Sequence, residues 1–243
     1  MPKPAKFDSM TGSDDTPSEE STALVAAGEQ AVASDVDLTS RQYTSQPDFS
    51  REDTMIPRLR LAQQLTPEVV NGDAESGQWV LIGSEPADKV VVVPLSWGKS
   101  RELRDDENEV ICQSSDSRVG RGEYGVGSRL HASGDCADCP MSQWTENKKT
   151  GKNNRPRCSL IYSYVCWDET HQSLVAIDFK STGTQAAKLL NTMVQAKGGF
   201  GKVAVQLGSQ QQKTPRGVFH VPTVAIAKVE PDVLEMAASL LAK

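Results

Sequence analysis

Residues 159–180 read SLIYSYVCWDETHQSLVAIDFK, and this stretch decides the fold class. In its first part Leu160, Tyr162, Tyr164 and Cys166 share one face. Ile161, Ser163, Val165 and Trp167 share the other, which is the two-residue period of a β-strand. Asp168–Gln172 reads as a turn and Ser173–Phe179 as the returning strand. The period then changes. Ala186, Leu189, Leu190, Met193 and Val194 fall at helical spacing within Ser181–Lys197, behind Ser/Thr capping candidates, and Gly198–Gly199 stops the helix. Lys202–Leu207 and Val218–Lys228 follow as two further strands across a polar connection, and Pro231–Leu241 as a closing amphipathic helix. Upstream, Gln78–Gly83, Lys89–Leu95 and Glu109–Gln113 are short strand-like runs. Short strands joined by turns favour an antiparallel arrangement over a parallel sheet. A five-stranded Greek-key barrel with a helix between its third and fourth strands is the oligonucleotide-binding (OB) arrangement. The expected fold is therefore mainly β, an OB-like barrel with two helices.

Composition sets the outer limits. Of 243 residues, 37 % are hydrophobic and 5 % aromatic, low for a chain that folds along its whole length. The deficit lies in the first 54 residues. They hold four basic and eleven acidic residues, −7, which leaves +1 for residues 55–243 out of a total of −6. Such a segment cannot bury enough apolar surface to offset its ordering entropy. It is expected to be a disordered acidic tail, either merely solvating or binding replication or recombination proteins and competing with an anionic ligand of the body. The body, 55–243, is expected to be one domain. No apolar run approaches the length of a membrane span, and the N-terminus lacks the apolar core of a secretory signal. Five cysteines, an odd number, fit reduced thiols or a metal site in a cytoplasmic setting better than a disulfide framework.

Four of those cysteines suggest a metal. Cys136-Ala-Asp-Cys139-Pro is a Cys-x2-Cys knuckle, and Cys158 follows after eighteen further residues. Two thiolates at this spacing can face one ion, and structural zinc takes four such ligands tetrahedrally. Cys112 and Cys158 sit on the strand ends flanking the polar excursion 114–157, and a staple would account for so long a loop in a compact domain. The expected structural Zn2+ is held by Cys112, Cys136, Cys139 and Cys158, within an insertion of about 112–158. His131 is the alternative to Cys112. Cys166, inside the alternating strand, reads as a packed thiol.

The positive excess is confined to one half of the chain. No Asp or Glu stands between Asp178 and Glu230, a window holding seven Lys and Arg, and residues 145–157 carry five basic residues against one acid. Charge separation of this kind marks an anion-binding face, and interleaved aromatics suit stacking of unpaired bases. Candidate contacts are Trp144, Lys148, Lys149, Lys152, Arg155, Arg157, Tyr162, Tyr164, Lys180, Phe200 and Lys202. Trp97, Lys99 and Arg101 form a second basic-aromatic patch, which reads alternatively as a solvated loop because four acids follow within six residues. Single-stranded DNA is the expected partner, and no membrane is.

Several of these motifs resemble a group of bacteriophage single-stranded-DNA-binding proteins of DNA replication. They are Ile56-Pro57-Arg58-Leu59, Val110-Ile111-Cys112-Gln113-Ser114, Cys136–Pro140 with Gln143-Trp144, Pro156-Arg157-Cys158 with Tyr162 and Tyr164, and Phe179–Thr182 leading into Ala186–Leu190. The likeness covers roughly residues 55–228. It implies an OB barrel with a zinc-bound insertion that coats single strands in the host cytoplasm, and no catalytic residues. One departure is that the acidic tail is N-terminal, where such proteins usually carry it at the C-terminus. Two other readings stand beside it. Asp168, Asp178 and Lys180 are a crude match to the acid–acid-x-Lys pattern of Mg2+-dependent nucleases. A zinc-stabilised transcription or assembly factor that binds only protein would also fit.

Overall fold

The computed structural model describes residues 55–147, 151–215 and 217–241, all within the unit Thr54–Lys243. The acidic segment and its expected disorder lie outside the described residues. The body is mainly β, with 41 % strand and 18 % helix. Its strands are β1 (Arg60–Leu61), β2 (Trp79–Val80), β3 (Val90–Arg104), β4 (Val110–Ser114), β5 (Arg121–Gly122), β6 (Thr145–Asn147), β7 (Lys152–Asn154), β8 (Ser159–Asp168), β9 (Ser173–Lys180), β10 (Ala204–Thr214) and β11 (Gly217–Ala227). Three α-helices stand among the described residues where two were expected: the single turn α1 (Pro67–Val70), α2 (Thr184–Ala196) and α3 (Pro231–Leu241). None of them is long and apolar enough to cross a membrane.

β3 organises the sheet. β8 pairs along one of its edges from Val92 to Glu102, and β10 and β4 share the other. β9 pairs with β8 and β11 with β10, all antiparallel. The register slips between Pro94 and Ser96, leaving Leu95 as the extra residue of a bulge. Pro94 has no N–H to give to a ladder, which favours an irregularity at this point. The extra residue keeps Trp97, Lys99, Arg101 and Leu103 on the same face as Val90 and Val92, which the alternation would otherwise send to the opposite side. That inner face carries the main core: Val90, Val92, Tyr164, Cys166, Val175, Ile177, Phe179, Val205 and Leu207, closed by Ala186, Ala187, Leu190 and Val194 of α2. On the outer face Val93, Leu95 and Ala204 meet Ala237 of α3, flanked by Trp167, Val233 and Leu234.

Among the described residues the seven-stranded sheet does not close into a barrel, which corrects the sequence expectation. Closure would require β9 to pair with β11. A strap at the start of the body occupies that seam instead. Leu59 N–H donates to Ala176 O and Ala176 N–H to Pro57 O, a short parallel pairing with β9. The Gln63 side chain then bonds both backbone groups of His220 on β11, at 2.9 Å each. The Leu59 side chain of this strap is buried in the core.

Other element boundaries also differ. Of Gln78–Gly83 only Trp79–Val80 is strand, paired with β1. Lys89–Leu95 is the first half of a strand twice that length. The polar run 208–214 is not a connection but the outer half of β10, matched residue for residue with β11 as far as Thr214 and Gly217. Backbone pairing sustains that hairpin whatever its side chains. Leu189, expected on the apolar stripe of α2, is exposed.

Candidate functional site

The four cysteines expected to act together do converge. Cys112 stands on β4 opposite Leu103 of β3. Cys136 and Cys139 flank a turn in which the Asp135 carboxylate accepts the Ala137 N–H, and the Ser142 hydroxyl contacts both cysteine carbonyls. Cys158 is fixed beside the knuckle because its N–H donates to Met141 O at 2.9 Å. All four line one cavity, with Arg101, Ser114 and Met141 among its other walls, and all are free thiols. The space between them is about 10 Å3, room for one water-sized sphere. Burial pushes the Cys136 and Cys158 thiols up, and Arg101 opposes that at both.

His131 is not among the cavity's walls. Its Nε2 contacts Asp135 O at 2.8 Å, so it supports the loop leading to the knuckle. Cys166 is fully enclosed in the main core, as a packed thiol would be. Four thiolates are the donor set of a closed structural zinc site. Among the described residues no group of three or more His, Cys, Asp or Glu is arranged, as it stands, to hold a metal ion. The fit rests on the convergence, the chemistry of the donors and a space of single-ion size.

Trp97 and Lys99 form the second site with Tyr162. Lys99 is registered against Tyr162 and Trp97 against Tyr164, all on the inner face. The rings of Trp97 and Tyr162 stack at 6.3 Å and 13°, and Lys99 Nζ lies over both, at 5.4 and 5.5 Å from their centroids. Trp97 is 44 % exposed and Lys99 is exposed, so one flat ring and one ammonium face solvent together. Tyr162, at 5 %, is the buried backing of that ring.

Other expected contacts fall elsewhere. Tyr164 is 1 % exposed. Its ring meets Phe179 edge-on and its hydroxyl bonds Ala187 O and Asn191 Oδ1, so it is a core residue and offers no stacking face. Arg101 is half-buried and lines the cavity with the cysteines. Phe200 packs against the main core, and Lys202, two residues on, is exposed. Lys180 is exposed on the outer face, in register with Ile161, while the platform lies on the inner one. Trp144 is 67 % exposed at the foot of the β6–β7 hairpin, and Arg155 and Arg157 are exposed just beyond it, Arg157 at 3.4 Å from Asp106. Lys148, Lys149 and the side chain of Lys152 lie outside the described residues.

The nuclease triplet is not assembled. Asp178 is in register with Ser163, five residues along β8 from Asp168. That is about 16 Å at strand rise, with the two carboxylates on opposite faces. Asp168 is fully buried and held by the N–H groups of Thr170 and His171 and by His171 Nδ1. Asp178 pairs with Arg58 and accepts from Ser163 Oγ. Sequence reasoning missed Ser117, which bonds Arg101, and the strap residues Leu59 and Gln63. The strap has no periodicity to betray it. Comparison with protein-family models, curated proteins and solved structures returns no match.

Proposed function

We propose that the chain is a single-stranded-DNA-binding protein of bacteriophage-type replication or recombination, acting in the cytoplasm. It contacts DNA through an exposed basic-aromatic surface and is braced by a structural zinc on Cys112, Cys136, Cys139 and Cys158. The observation that carries this reading is the Trp97–Tyr162 stack with Lys99 above it, a solvent-facing ring and cation side by side on a rigid strand. Stacking on such a ring tolerates any base, and the ammonium is placed for backbone phosphate.

The strand order lends support. β3, β8, β9, α2, β10 and β11 follow one another as the five strands and intervening helix of an OB fold do, with the strap standing in for the closing pair. OB folds are often partly open, and oligonucleotides lie across the face of the second and third strands and the connections between strands one and two and four and five. In this chain the first of those connections is the cysteine-bearing excursion and the second is the tip of the β10–β11 hairpin. The acidic N-terminal segment is proposed to contact other replication proteins.

Fluorescence titration with single-stranded and duplex oligonucleotides across salt tests the reading. Tighter binding to single strands is expected, with a log–log salt slope of roughly −0.7 per phosphate contact. A slope near zero, or preference for duplex, would overturn it. A protein-binding factor is the competing reading, and it has its own observation: Val119, Val126 and Leu130 on the excursion are all exposed. Absence of any DNA-induced quenching would favour it.

A further inference from the structure

Among the described residues, Arg101 is the one Lys or Arg that lines the cysteine cavity. It stands on the inner face of β3, two residues after Lys99 and two before Leu103. Its Nε donates to Ser117 Oγ at 3.2 Å. Among the described residues no carboxylate pairs with it. The four cysteines and Arg101 line the same cavity, and Cys112, Cys136 and Cys139 are each less than a tenth exposed.

A divalent ion on four thiolates carries a net charge of −2. Holding that charge in a nearly dry pocket is costly unless an opposite charge stands next to it. Guanidinium suits the task. It stays protonated at any working pH, is weakly hydrated, and points several N–H groups in one plane. The hydroxyl of Ser117 keeps it turned toward the sulfurs. Outer partners of this kind orient metal ligands, and their loss typically lowers metal affinity about 10- to 100-fold.

We infer that Arg101 is the counter-charge of the four-cysteine metal centre, a positioning residue for its sulfurs rather than a ligand of DNA phosphate. This rests on the zinc reading above and adds to it a division of labour along one strand. Alternate residues of β3 serve first the base-stacking platform, through Trp97 and Lys99, and then the metal centre, through Arg101 and Leu103.

The test compares Arg101→Met, Arg101→Lys and Lys99→Met with the unaltered full-length chain. Two quantities are read: the rate at which bound zinc passes to a chromophoric chelator, and the affinity and salt slope for an oligothymidylate. Arg101→Met should release zinc about 10- to 100-fold faster, following the affinity loss above, and Arg101→Lys should fall between it and the parent. Both should bind oligothymidylate with the parental salt slope. Lys99→Met should do the reverse, flattening the slope by about 0.7 with zinc release unchanged. If Arg101→Met does not fold, Ser117→Ala removes the hydrogen bond that orients the guanidinium and should speed release by a smaller factor. Parental zinc release in Arg101→Met, or in Ser117→Ala where that variant stands in, overturns the inference alone. So does a flattened salt slope with zinc release unmoved. An unaltered chain that holds no zinc overturns the metal reading and the inference together.

Discussion

Replacing Trp97 by Ala removes the solvent-facing ring of the platform while leaving the strand intact. Trp97 is 44 % exposed and packs chiefly on Tyr162 and beneath Lys99, so the main core loses only the cover over one face of Tyr162. Base–aromatic stacking is worth about 1–3 kcal/mol per base on alanine substitution, so affinity for a short oligothymidylate should fall about 5- to 150-fold. Lys99→Met removes one phosphate contact and no stacking face, so it should weaken binding less and mainly flatten the salt slope. Four tryptophans report the binding, and only Trp97 and Trp144 are substantially exposed, whereas Trp79 is buried at 2 %. Quenching in the parent should therefore come from Trp97 and Trp144, and the Trp97→Ala chain should lose the larger share. Tyr164→Phe is the matched control. It removes hydrogen bonds of 3.0 and 2.8 Å to Ala187 and Asn191. That should cost about 1–3 kcal/mol of stability through the buried polar groups left unpaired, with DNA affinity unchanged. A Trp97→Ala chain that folds like the parent and binds within twofold of it, with undiminished quenching, would refute the platform.

The protein should carry about one zinc per chain when purified without chelator, read by elemental analysis; less than half an equivalent with all thiols reactive would rule the site out. Cys136→Ser should lose the metal and melt markedly earlier, because structural zinc binding is coupled to folding. Leu59→Ala, which empties a 1 %-exposed position on the strap, should cost about 2–5 kcal/mol. For a body of this size that is a Tm drop of roughly 4–20 °C, whereas Ile56→Ala at a 42 %-exposed site should leave the melt in place. A chain beginning at Thr54 should bind single strands more tightly than full length at low salt, since it lacks a tethered segment of −7. That gap should close as the screening length falls to about 8 Å near physiological salt, and equal affinities at low salt would leave the tail as a solvating arm.

What could be read from the sequence followed how local its cause was. The alternation of 159–167 and the helical stripe of 184–196 are properties of neighbouring residues, and both elements stand where their periods place them. The cysteines were legible for a similar reason: a knuckle at fixed spacing, with partners on strand ends that must flank the excursion. Face assignment was not local. Both faces of Ser159–Trp167 carry large apolar residues, so nothing in the pattern says which is inner. α2 decides it by packing on the side of Tyr164 and Cys166, and the tyrosines become core and backing instead of contacts. The outer half of β10 was hidden because Gly208–Thr214 has no apolar period, its order coming from seven matched residue pairs with β11.

The bulge at Leu95 ties these outcomes together. Read as an uninterrupted strand from Val90, β3 would alternate so that Trp97, Lys99, Arg101 and Leu103 followed Val91 and Val93 outward. Leu103 would then leave the cysteine cavity for solvent, Arg101 would leave the sulfurs, and Lys99 would leave the Tyr162 ring. One extra residue reverses all four at once because the side-chain period of a strand is two. The same insertion frees Leu95 to join Val93 and Ala204 beneath α3 on the outer face. The Gly201 N–H bonds the Pro94 carbonyl on the other side of the break. Core packing on both faces therefore holds the bulge in place. The basic-aromatic platform and the β3 wall of the cysteine cavity, Arg101 and Leu103, therefore owe their facing to the same irregularity.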